Sequence, residues 1–74
     1  MKKILYLEIY EYVIDKIKQK QWLPNFKIPS KRKLSEAFNV SLITVATALE
    51  QLESEGYIYS KERIGYFVCD IEVL

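Results

Sequence analysis

The stretch SKRKLSEAFNVSLITVATALEQL, residues 30–52, decides the fold of this chain. Ser30 follows Pro29 and precedes Lys31-Arg32-Lys33-Leu34, the order expected of an N-cap hydroxyl opening a short helix whose Leu34, Ala37 and Phe38 face inward. Asn39 is expected to end that helix, because after glycine it best tolerates the left-handed conformation of a sharp interhelical turn. Val40 then tucks inward and Ser41 caps another helix with Thr44 at its third position. Val45, Ala48, Leu49 and Leu52 recur at helical spacing as its buried stripe, and the helix runs from 42 to about 55.

Working outward toward the N-terminus, residues 4–19 read as an amphipathic helix. Leu5, Ile9, Tyr12, Val13 and Ile17 form one apolar stripe, and Glu8, Glu11, Asp15 and Lys18 point elsewhere. Residues 21–29 contain both prolines and predict an extended connection, with Trp22, Leu23 and Ile28 as core plugs. Toward the C-terminus, Gly56 suits the position just past a helix end. Tyr57-Ile58-Tyr59 and Tyr66-Phe67-Val68 flank the polar stretch Ser60 to Gly65 and read as a hairpin. The expected architecture is therefore mainly α with a small β-hairpin, one domain over residues 1–74. Three helices and a hairpin in this order make a three-helix winged helix-turn-helix, a fold whose third helix enters the major groove of DNA and which also mediates protein contacts.

Composition narrows the function. A domain of 74 residues buries only a modest core, so binding is expected rather than catalysis in an enclosed site. Half the residues are apolar and 28% are charged, which suits a folded domain and not a disordered tail. No apolar run approaches the roughly 20 residues of a membrane-spanning helix. Lys2 and Lys3 before Ile4-Leu5-Tyr6-Leu7 faintly resemble a secretion signal, but Glu8 and Glu11 interrupt it, and a cytoplasmic location is expected. Histidine is absent and Cys69 is the single cysteine, so the usual zinc sites, a disulfide and His-assisted nucleophiles are not expected. Residues 1–40 carry nine Lys/Arg against four acids, whereas residues 41–74 carry two against six. An anion-binding surface should draw mainly on the first half.

The segments from Ile28 to Leu34, Val40 to Val45, Ala48 to Ile58 and Gly65 to Val68 together resemble the DNA-binding domain of GntR-type bacterial transcription regulators. They match the family's "LPSxRxLA", "VSxxTVxxALxxLxxEGxI" and "GxGxFV" segments in order and spacing across residues 8–68. The forms "PSKRKL", "EGYIYS" and "GYFV" are similar to the MocR-type branch, and YtrA-type regulators are a second match. The resemblance implies that Ser30 and Arg32 grip phosphates and groove edges; a capped helix start with Lys31, Arg32 and Lys33 offers the N–H groups, dipole and cations for it. It implies that Ser41, Leu42, Ile43, Thr44, Ala46 and Thr47 lie on the exposed start and outer face of the recognition helix, and that Gly65 lets the wing backbone approach the minor groove, where the charges of Lys61 and Arg63 suit minor-groove or phosphate contacts.

Leu42 and Ala46 stand where many members carry arginine, so the guanine-reading fork is lacking. Arg63 replaces an earlier glycine of the wing motif, and Lys20 and Asn25 also occupy positions where the family usually has glycine. The resemblance further implies a double-stranded DNA operator, a homodimer in the full-length protein, and a small-molecule effector bound by a further domain. In MocR-type members that domain resembles a pyridoxal-phosphate aminotransferase, and no cofactor is expected in the present domain. Two other readings stand beside this one. Leu42, Ile43 and Ala46 on a face that should be polar suggest a winged-helix protein-interaction module, and the chain could be the accessory domain of an aminotransferase-like protein.

Overall fold

A computed structural model describes residues 4–70; Lys2 and Lys3 of the faint signal-like start lie outside the described residues. Helix α1 spans Leu5–Lys18, α2 Lys31–Phe38 and α3 Leu42–Ser54, followed by strands β1 (Ile58–Lys61) and β2 (Gly65–Val68). The expected winged helix-turn-helix order is therefore the observed one.

Each helix begins and ends for a local reason. Ser30 accepts the Lys33 N–H at 3.1 Å and Ser41 accepts the Thr44 N–H at 3.1 Å, each satisfying a donor that the helix itself leaves free. Asn39 sits at φ 55°, ψ 51°, the left-handed turn between α2 and α3. Gly56 follows the end of α3 at φ 87°. Helix α1 begins at Ile4 without a side-chain cap; Glu8 in its first turn and Lys16 and Lys18 in its last complement the helix dipole.

The core joins every element. Ile9, Val13 and Ile17 of α1 meet Leu34 of α2, the Val45, Ala48, Leu49 and Leu52 stripe of α3, and Ile58 and Val68 of the hairpin, with Trp22 and Ile28 plugging it from the connection. Tyr12 packs edge-on to Trp22 at 5.7 Å and to Phe38 at 5.3 Å. Three expected core positions differ. Leu5 and Leu23 are 48% and 58% exposed, because α1 overhangs the core at its start and Leu23 turns outward beside Pro24. Ala37 is exposed, since α2 is short and directs one row, Leu34 and Phe38, inward.

The connection does more than link α1 to α2. Asn25 N–H donates to the Val68 carbonyl (2.7 Å), Val68 N–H to Phe26 (3.0 Å) and Ile28 N–H to Tyr66 (3.0 Å), and Lys27 bridges Phe67. β2 thus lies between β1 and residues 25–28. The hairpin pairs Ile58 with Val68, Tyr59 with Phe67, Ser60 with Tyr66 and Lys61 with Gly65. Ser60, Lys61 and Gly65, expected in the loop, are strand residues, and the turn shrinks to residues 62–64 with Arg63 at φ 66°.

Candidate nucleic-acid interface

The start of α2 and the wing face one another across a groove. Ser30, Lys31 and Arg32 line one side, Lys61, Arg63 and Gly65 the other, and Lys27 and Tyr66 also contribute. The sequence separates these residues by about thirty positions; the β2 pairing with residues 25–28 brings them together. Lys31 Nζ sits 5.8 Å from the Tyr66 ring centroid and Lys61 Nζ 4.9 Å from that of Phe67. These contacts hold two flexible cations over aromatic faces and reduce the conformational freedom lost on binding an anion. Burial, then the nearby Glu53 and Glu50 carboxylates, push the Tyr66 phenol above its ordinary pKa, so it stays a neutral hydroxyl there.

Of the residues lining the groove five are Lys or Arg and one, Glu62, is acidic, which gives the groove a positive sign even with Glu50 and Glu53 near Tyr66. The exposed, capped start of α2 adds backbone N–H groups and the positive end of its dipole, so the groove is suited to phosphate. Gly65, at φ 143°, adopts a backbone that other residues resist, and a Cβ built there would stand 3.2 Å from Lys27 Cε.

The start of α3 forms a separate surface. Ser41 is exposed at the cap, and Leu42 and Ile43 are 52% and 79% exposed. Ile43, Thr44 and Thr47 line a shallow cleft against Leu5 and Tyr6 of α1. Thr44 and Ala46 are half-buried, so the face that the sequence assigned to solvent is narrower than expected: both lie toward the edges of the row headed by Ile43. Sequence reasoning did not single out Lys27, whose only signal was its place in the basic first half. It also passed over Ser35, whose Oγ donates to the Val40 carbonyl and fixes the turn that aims α3.

The sequence profile of "Bacterial regulatory proteins, gntR family" matches residues 5–68. Among curated proteins, the chain is 38% identical over 68 residues to YhdI of Bacillus subtilis, an uncharacterized HTH-type transcriptional regulator. That alignment covers 92% of this chain but 14% of YhdI, so the chain spans about a seventh of its relative's length. Among solved structures, the AraR DNA-binding domain in complex with operator ORE1 superposes with a TM-score of 0.86 at 35% identity, covering 93% of this chain and 83% of that one. YtrA from Sulfolobus acidocaldarius, a GntR-family transcription factor, superposes with a TM-score of 0.81 at 32% identity, covering 88% and 68%.

Proposed function

Because the chain belongs to the GntR family of bacterial regulatory proteins, we propose that it is the sequence-specific DNA-binding domain of a bacterial transcription regulator, with α3 entering the major groove and the wing approaching the minor groove. The observation that carries this reading is the basic groove joining the capped start of α2 to the wing, beside an exposed start of α3. Phosphate contacts from Ser30, Lys31, Arg32, Lys61 and Arg63 set the register, and Ser41, Leu42, Ile43, Thr44, Ala46 and Thr47 present the reading face. The operator-bound AraR domain supports DNA binding over the protein-interaction module.

One small module neutralises few phosphates, so tight operator binding requires two copies on a two-fold-related site. The parent regulator is a homodimer in this reading, and a further domain binds a small-molecule effector. Sequencing the gene beyond Leu74 tests whether that domain is aminotransferase-like. Among the described residues no lysine is buried, so a Schiff base with pyridoxal phosphate does not fit this domain. No helix of the described residues is long and apolar enough to cross a membrane. The protein acts as a regulator rather than an enzyme, in the cytoplasm where bacterial DNA lies.

The test is Arg32→Ala in a salt titration of duplex binding. It should weaken binding to all sequences alike and reduce the slope of log affinity against log salt by about 1. An unchanged slope removes Arg32 from the phosphate contacts.

A further inference from the structure

Building on the DNA-binding reading above, we infer that this chain selects its half-site through thymine 5-methyl groups, packed against Leu42, Ile43 and the γ-methyl of Thr47. The first two turns of α3, Leu42 to Ala48, contain no charged and no amide side chain. Neither the arginine fork that grips guanine nor the amide that grips adenine can be formed there.

The hydroxyls at that end are already engaged. Ser41 Oγ accepts the Thr44 N–H and shares a hydrogen bond with Thr44 Oγ1 at 2.9 Å, which leaves one free hydroxyl proton for the pair. Thr47 Oγ1 donates to the Ile43 carbonyl at 3.0 Å, back toward its own helix. The most exposed groups that remain are hydrocarbon: Ile43 at 79% and Leu42 at 52%.

Thymine is the only base that offers an apolar group in the major groove. A T·A pair therefore lets these side chains bury carbon against carbon. A G·C pair instead presents polar edges alone, and covering them without a hydrogen-bonding partner is unfavourable. Specificity then arises from methyl packing, with the basic groove supplying sequence-independent affinity.

The experiment selects duplexes from a pool with a randomised centre on the 74-residue chain at low salt, and then replaces single thymines of the selected duplex by deoxyuridine, which removes only the methyl. The expected result is enrichment of T·A pairs in the half-site. About a fourfold loss should follow at each contacted thymine, the worth of one buried methyl-sized group. Where a contacted T·A pair is exchanged for C·G, 5-methylcytosine should restore part of the affinity. The double variant Leu42→Ser, Ile43→Ser should lose most of its discrimination between thymine and deoxyuridine duplexes while keeping its salt dependence. Equal binding of thymine and deoxyuridine duplexes by the unaltered chain, or selection of G·C pairs, overturns the inference while Arg32-dependent binding leaves the DNA reading standing. Absence of any salt-dependent duplex binding overturns both. A serine double variant that changes self-association and leaves duplex binding as it was overturns the inference alone.

Discussion

Ser35 Oγ donates a 2.6 Å hydrogen bond to the carbonyl oxygen of Val40, across the left-handed Asn39 that joins α2 to α3. The Val40 N–H returns to the Ser35 carbonyl at 3.1 Å, so the two residues clamp the turn from both sides. Ser35→Ala should leave a part-buried carbonyl without this partner and destabilise the domain by about 1–2 kcal/mol. Urea denaturation checks it; an unchanged midpoint would show that water replaces the hydroxyl without loss.

Arg63 holds φ 66° at the tip of the wing, a conformation that costs a non-glycine residue about 1–2 kcal/mol. Part of that cost returns in the greater chain entropy of unfolded glycine. Arg63→Gly should therefore raise stability by about 0.5 kcal/mol and at the same time lower duplex affinity through loss of a groove cation. Asn25, at φ 71°, is the contrasting case. Its Oδ1 accepts the Tyr59 hydroxyl at 2.7 Å, so Asn25→Gly should bring no stabilisation. Thermal melts of the two variants, paired with a duplex titration of Arg63→Gly, separate the effects.

Leu49 is fully buried where α3 meets the rest of the core. Leu49→Ala should cost about 2–5 kcal/mol, a large share of the total stability of so small a domain. Circular dichroism at 37 °C should show substantial loss of helix; a fully folded variant would mean that the core collapses into the space left behind.

The Tyr10 hydroxyl donates to the Glu55 carboxylate, tying α1 to the end of α3. This hydrogen bond chiefly, with a second from Gln51, holds Glu55 below the usual carboxylate range, and it pushes the Tyr10 phenol up to about 12. A lowered carboxyl pKa contributes stability that is present above the unfolded value and disappears as pH falls through the folded one. A raised phenol pKa contributes stability that is present below 10.0 and disappears as pH rises toward about 12. The stability difference between the natural chain and Tyr10→Phe should be largest near neutrality and shrink at both ends. A difference that stays level across acid pH would remove the carboxylate from the account.

The element boundaries were legible because they are written in single residues. Ser30 and Ser41 cap, Asn39 and Gly56 turn, and the α3 stripe recurs at helical spacing, so each can be read within a few positions of the chain. The candidate site residues are nameable in the sequence as types, the basic helix start, the hydroxyls of α3 and the wing cations, but the assembly of the helix start and the wing along one groove is not. Leu23 and Ala37 misled the reading because apolar character fixes what a side chain prefers, whereas the direction it faces depends on the path of neighbouring backbone.

By itself, then, the sequence determined the order and type of the helices and the hairpin and the limits of the helices, since capping, left-handed turns and amphipathic spacing are local chemistry; the reach of the hairpin strands was set by their pairing. The pairing of residues 25–28 with β2, the groove that sets Lys31 and Arg32 opposite Lys61 and Arg63, and the inward engagement of the Thr47 hydroxyl were decided only in the folded molecule. Pairing and groove join residues distant in the chain, and the backbone hydrogen bonds behind that pairing are nearly indifferent to side-chain identity. Only the packed core fixes which of many equivalent backbone groups come within reach of one another.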